Sequence, residues 1–309
     1  MKRWAGLVRR GVLTLLLVVL GAFPAAAEPR IRAVATFSIL ADLVREVGAE
    51  RVTVTSLVGP DADAHGFNPA PSDARALARA DIVFVNGLGF EGWLDRLIRA
   101  SGTKAPVVVA SKGIRAIDGP DRRDHAHGPE AHADPHADPH AWQSVPNAKL
   151  YIEAIREGLS RIDPIHAAFY DANAAAYAEK LDALDAEVRA TIAAIPEAQR
   201  RIITTHDSFG YFTHAYGLRF VAPQGLSTAS EPGPAEIARI IRQIRAERIP
   251  AVFLESVADP RLMQQIARES GAKIGGKVFS DALSGADGPA PSYLEMMRSN
   301  LRAFREALG

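Results

Sequence analysis

Residues 163–196 read DPIHAAFYDANAAAYAEKLDALDAEVRATIAAIP. Asp163 can cap a helix, Pro164 suits its first position, and no glycine or proline follows until Pro196. The stretch therefore predicts a helix over 163–195, about 30 residues or ~45 Å at ~1.5 Å per residue. A helix of that length can run along two lobes and would limit hinge motion between them. The same pattern also suits an ordinary amphipathic core helix, and local sequence does not choose between the two readings.

On either side of it, short apolar runs alternate with helical patterns. IRAVATF (31–37), RVTVTSLV (51–58), DIVFVNG (81–87) and APVVVA (105–110) read as buried parallel strands. SILADLVREVG (38–48), SDARALARA (72–80) and EGWLDRLIRA (91–100) read as the helices between them. The alternation resumes with RIITT, LRFVA, PAVFLE and AKIGGKVF, separated by helices near 208–216, 234–247 and 260–270 and followed by a last helix over 293–308. Such β-α-β order predicts α/β units built on parallel sheets flanked by helices. The expected division is an N-terminal lobe over 28–145, connecting helices over 146–198 and a C-terminal lobe over 199–309. No 20–50-residue repeat occurs, so a solenoid is excluded.

Residues 1–27 carry a basic start, an apolar run and an Ala25-Ala26-Ala27 cleavage site, the pattern of a secretory signal peptide. Its removal takes four basic residues and no acid, leaving 32 basic against 36 acidic side chains. A mildly acidic exported chain does not suggest a nucleic-acid partner. With no cysteine in the sequence, neither a lipid-anchored N-terminus nor a disulfide is expected. The expected setting is the bacterial periplasm, with the chain a monomer.

In open α/β sheets, ligands bind beyond the carboxyl ends of the strands. Four metal-capable side chains fall there: His65 in GPDADAHGFNPAPSD, His140 in DPHAWQS, His206 in THDSFGYF and Asp281 in SDALSG. Three imidazoles and a carboxylate suit zinc; manganese would favour more oxygen donors. Taken singly, each histidine reads as readily as a solvated loop residue, and Asp281 as a turn cap; the coincidence of all four at strand ends carries the argument. Residues 118–139 are rich in Asp, Pro, Gly, Ala and His, which reads as a flexible insert. Of the five histidines in 124–140, His140 leads into AWQSVPNAKLYIEAI, where a helix begins near Asn147. His125, His127, His132 and His136 are expected to form a weak secondary metal site. His166 and His214 read as structural, Asp207 and Ser208 as caps for the next helix, and Glu255 as a strand-end acid that supports the site or is merely hydrated.

These pieces resemble the zinc/manganese-binding solute-binding proteins of ABC importers, the zinc-uptake branch especially. DADAHGFNPAPSD, DPHAWQSVPNA, DPIHAAFYDANAAAYAEKLDALD, HDSFGYFTHAYGL, STASEPGPAEIARII and FSDALS carry the resemblance, in order, over nearly all of the mature chain. It implies two α/β lobes joined by one long rigid helix, with the metal in the cleft between them. It assigns metal-ligand roles to His65, His140 and His206, with Asp281 or water as the fourth. Manganese-type relatives carry Glu where this chain has His206, which favours zinc. The insert holds fewer histidines than many zinc relatives, and Ala64 stands where some place an acid.

The function implied is periplasmic binding of Zn(II) as cargo for an ABC-importer permease, with Mn(II) or another divalent ion as the alternative cargo. A periplasmic zinc hydrolase is a rival reading, but the sequence has no H-E-x-x-H or G-x-S-x-G motif. A metal-binding adhesin on the same fold is a third.

Overall fold

A computed structural model describes residues 29–119 and 137–309. The expected signal peptide and His125, His127, His132 and His136 lie outside the described residues. Two four-stranded parallel sheets are present among the rest. In the N-terminal lobe β1 (Ile31–Phe37), β2 (Val52–Val58), β3 (Ile82–Val85) and β4 (Val107–Val109) lie in the order β2-β1-β3-β4. In the C-terminal lobe β5 (Arg201–Ile203), β6 (Arg219–Val221), β7 (Ala251–Glu255) and β8 (Lys273–Val278) repeat that order as β6-β5-β7-β8. Each sheet switches direction between its first and third strands, which opens a crevice at their carboxyl ends.

The helices follow the expected alternation: α1 (Ser38–Gly48), α2 (Pro71–Arg79) and α3 (Leu94–Ser101) in the first lobe, and α6 (Gly210–Tyr216), α7 (Pro234–Glu247), α8 (Pro260–Ser270) and α9 (Tyr293–Leu308) in the second, with α4 (Val145–Ile162) and α5 (Ala167–Ala194) between. β1 and β3 are buried along nearly their whole length. The expectation that all four runs are buried strands fails at both edges: in β4 Val107 and Val109 are 42% and 41% exposed, and in β2 Thr53 and Thr55 are exposed. An edge strand has a neighbour on one side only, and apolar composition does not reveal which strand lies at the edge. β8 is likewise an edge, with Lys273 and Ile274 exposed and a register irregularity opposite Val252 and Phe253.

The long helix is present but starts later than 163. Pro164–His166 form a 3-10 turn, and α5 then runs 28 residues to Ala194. Asp163 does not cap it; its carboxylate instead accepts from the Tyr170 hydroxyl at 2.7 Å and lies 2.8 Å from His166 Nδ1. α4 lies antiparallel beside α5, since Lys149 pairs with Asp182 and Arg156 with Asp171. One stripe of α5 is buried: Tyr170, Ala174, Tyr177, Leu181, Leu184, Val188 and Ile192, at helical spacing of three and four. These residues belong to one continuous apolar core that includes Phe37 and Phe84 of the first lobe and Phe253 and Phe304 of the second.

Hydrogen bonds tie the lobes directly. Trp142 Nε1 and Gln143 Nε2 both donate to the Ser280 carbonyl, at 2.8 and 2.7 Å. The Leu283 N–H donates to Ser38 Oγ, the Tyr293 N–H to Asp42, and the Tyr293 hydroxyl to the Trp142 carbonyl. Because α5 is part of this shared core, Leu181→Ala is expected to lower unfolding free energy by about 2–5 kcal/mol. Chemical denaturation should show a single transition; separate transitions for the two lobes would contradict a shared core.

Candidate metal centre

The candidate ligands sit where the strand ends open. His65 follows β2 in a loop whose Pro, Gly and Asp content cannot continue a strand or helix. Trp93 Nε1 donates to the Ala64 carbonyl at 2.9 Å, and the His65 N–H donates to Asp63 Oδ1 at 2.9 Å. His140 precedes a 3-10 turn at Ala141–Gln143. Asn86 Nδ2 holds the Pro139 carbonyl at 2.9 Å, while Asp138 Oδ1 accepts the His140 N–H and lies 2.8 Å from its Nδ1.

His206 stands three residues beyond β5, facing Glu255 at the end of β7. Glu255 Oε1 accepts the N–H groups of Thr205 and His206 at 2.7 and 3.0 Å. Its Oε2 lies 2.5 Å from His206 Nδ1 and accepts from Ser280 Oγ at 2.9 Å. Asp281 follows β8, and Asn300 fixes the backbone ahead of it by bonding both the N–H and the carbonyl of Phe279.

One ligand atom from each of His65, His140, His206 and Asp281 lies within 4.8 Å of all the others. His65 Nε2 is 3.2 Å from His140 Nε2 and 3.4 Å from Asp281 Oδ2. His206 Nε2 is 3.0 Å from Asp281 Oδ2, and His140 Nε2 is 3.7 Å from Oδ1. A tetrahedron with arms of about 2.0–2.1 Å has edges of about 3.3–3.4 Å, so an ion fits this spacing.

Asp281, His140 and His206 are fully buried, and the His65 side chain is 5% exposed. Neither oxygen of Asp281 and neither ring nitrogen of His206 makes a directed hydrogen bond, although Glu255 Oε2 lies close to His206 Nδ1. These atoms lie close together without hydrogen-bond geometry between them. A carboxylate buried without donors is costly unless a cation compensates it.

The charges respond to one another. Burial pushes Asp281 up, but the His206 and His140 rings outweigh it and hold its carboxyl well below the usual carboxylate range. Burial pulls His206 down, but Glu255 and Asp281 outweigh it and hold the imidazole well above its ordinary value.

The four strand-end residues singled out from sequence are thus brought together. With both oxygens unbonded, Asp281 does not cap its turn. Glu255 is buried against His206 and not hydrated. Asp138 was missed; the Asp of the DPH tripeptide was its signal, but DPH occurs twice. Asp207 and Ser208 do not cap α6, which begins behind Phe209 with no side-chain cap. Burial, with the Asp138 charge adding to it, raises Asp207 to about 6. His166 pairs with Asp163 in the turn before α5, and exposed His214 lies in the last turn of α6.

Known proteins resemble this chain over nearly its whole length. The family described as zinc-uptake complex component A, periplasmic, matches residues 33–307. An iron-binding protein of Yersinia pestis, YfeA, is 33% identical over 286 residues, 93% of this chain and 89% of its own. A manganese-binding lipoprotein of Halalkalibacterium halodurans, MntA, is 34% identical over 278 residues, 90% and 88% of the two chains. Among solved structures, the periplasmic zinc-binding protein TroA from Treponema pallidum superposes with a TM-score of 0.81 at 29% identity, covering 91% of this chain and 99% of that one.

A metal needs a neutral nitrogen on His206, whose protonated form the carboxylates favour. Binding at pH 7 is therefore expected to release a proton, and affinity to fall as pH is lowered. Calorimetry in buffers of different ionisation enthalpy checks this; identical heats in all buffers would mean that the ring is neutral before binding.

Proposed function

The chain belongs to the zinc-uptake complex component A family, the metal-binding and non-enzymatic components of ABC transporters, and on that premise we propose that its cargo is zinc. One Zn(II) is held by His65, His140, His206 and Asp281 and handed to a membrane permease. The observation that carries this reading is Asp281, a buried carboxylate without a hydrogen-bond donor, facing three imidazole nitrogens. Relatives are named for iron, manganese or zinc. The preference for zinc therefore rests on the donor set, three nitrogens to one carboxylate, which suits a borderline ion better than a hard one.

Asp138 and Glu255 sit on the Nδ1 side of His140 and His206. A carboxylate there favours the proton on Nδ1, presents the Nε2 lone pair to the centre and raises its basicity. Residues 1–27 are read as the export signal that brings the chain to the periplasm.

The test is the metal content of protein purified from periplasm with no metal added. One zinc per chain is expected, with zinc–nitrogen distances of about 2.0–2.1 Å by X-ray absorption. Stoichiometric manganese or iron would overturn the zinc reading. His206→Glu replaces a nitrogen donor with a harder oxygen and should lower the zinc-to-manganese affinity ratio. An unchanged ratio would remove His206 from the ligand set.

His125, His127, His132 and His136 are read as a weaker, separate site. Asp118 and Ala137 bridge in antiparallel fashion, so the described ends on either side of 120–136 are neighbours. Replacing 120–136 with a short Gly/Ser linker is expected to keep tight zinc affinity within a few-fold and to remove any weak second equivalent. Loss of the tight site would place a primary ligand within that segment.

A further inference from the structure

We propose that Asp63 is a positioning residue for His65, holding it in the ligating pose by bridging to Thr228 across the lobe junction. The inference rests on His65 being a metal ligand.

Three of the four candidate ligands are braced at or beside the side chain. Asp138 lies on the His140 ring, Glu255 lies on the His206 ring, and the backbone ahead of Asp281 is held by Trp142, Gln143 and Asn300. His65 differs. Among the described residues no carboxylate touches its Nδ1, and its ring packs edge-on against Phe90. Its pose is set through the backbone, and Asp63 does the setting with both oxygens. Oδ1 accepts the His65 N–H at 2.9 Å, and Oδ2 accepts the Thr228 hydroxyl at 2.7 Å, 165 residues away. The carboxylate folds over the turn that follows, since a Cβ on Gly66 would lie 3.4 Å from Oδ2.

The loop has a second tie to the far lobe at Asp61, whose N–H donates to the Leu283 carbonyl and whose Oδ2 accepts from the Gly285 N–H. That tie lies four residues ahead of His65. Of the hydrogen bonds that tie this loop to the far lobe, the Asp63–Thr228 bond is therefore the nearest to His65 in the chain.

Behind this bond lies a cavity of about 610 Å³ lined by Asp63, Thr205, Gln224, Thr228 and Glu231. Thr205 Oγ1 and Gln224 Oε1 are buried there without partners. Opening the Asp63–Thr228 bond thus displaces no close-packed core. The bond holds the loop on the far-lobe side, while on its own lobe Ala64 packs into the core and its carbonyl accepts from Trp93.

The experiment measures zinc release to excess chelator by stopped flow, on the full mature chain. Thr228→Val removes the hydroxyl and keeps the shape, and Thr228→Ser restores it. A hydrogen bond to a charged acceptor corresponds to about tenfold or more. Thr228→Val should release zinc faster by that factor, with apo melting unchanged, and Thr228→Ser should release near the wild-type rate. Asp63→Ala, which removes both acceptor oxygens, should also accelerate release. Wild-type release from Thr228→Val, or equally fast release from Thr228→Ser, would sink the positioning role while leaving the zinc site standing. Wild-type protein that takes up no tight zinc, or His65→Ala that binds as tightly as wild type, would instead remove the ligand assignment and this inference with it.

Discussion

Asp281 is a buried anion whose two oxygens receive no directed hydrogen bond. Desolvating a carboxylate costs several kcal/mol even after relaxation, so a fold that places one here needs a positive charge beside it. The rings of His206 and His140 hold the Asp281 carboxyl well below the usual carboxylate range, and Glu255 and Asp281 hold the His206 imidazole well above its ordinary value. A divalent cation supplies the positive charge better, because it satisfies the carboxylate and the inward-facing ring nitrogens at once.

Everything near the centre serves to keep those groups in place. The repeated sheet order puts β5 and β7 side by side at a switch point, so His206 and Glu255 meet although 49 residues separate them. The Ser280 carbonyl takes two donors from the segment just after His140, so the residues flanking two candidate ligands from opposite lobes are joined directly. His140, His206 and Asp281 therefore form a rigid unit that spans the lobe junction, whereas His65 comes from a loop tied at a few points.

Much of this was legible in the sequence. The uninterrupted run after Pro164 gave α5 to within four residues of its start, and the strand-end rule picked the four residues that converge. Burial of particular strands was not legible: β4 is as apolar as β3, and only its place at the sheet edge exposes Val107 and Val109. The supports of the site were hidden for a different reason. Trp142 and Ser280 are 138 residues apart, and a hydrogen bond at that separation leaves no local pattern. Asp138 had a local pattern, but an identical DPH at 134–136 carried the same signal. Asp163 illustrates a misread cap: an Asp before Pro suits an N-terminus, yet its carboxylate was taken by Tyr170 and His166 side chains.

The rigid unit also limits how an ion can leave. A hinge that opened the cleft would have to break the Ser280 bonds and separate a core that runs from Phe37 through Tyr177 and Leu184 to Phe304. Leaving those apolar faces in water costs about 25 cal/mol per Å². Moving a single loop breaks a few hydrogen bonds near the surface and leaves the core intact. Local opening is therefore the cheaper path by a wide margin. The candidate ligand carried on such a loop is His65, whose Nδ1 no carboxylate braces among the described residues.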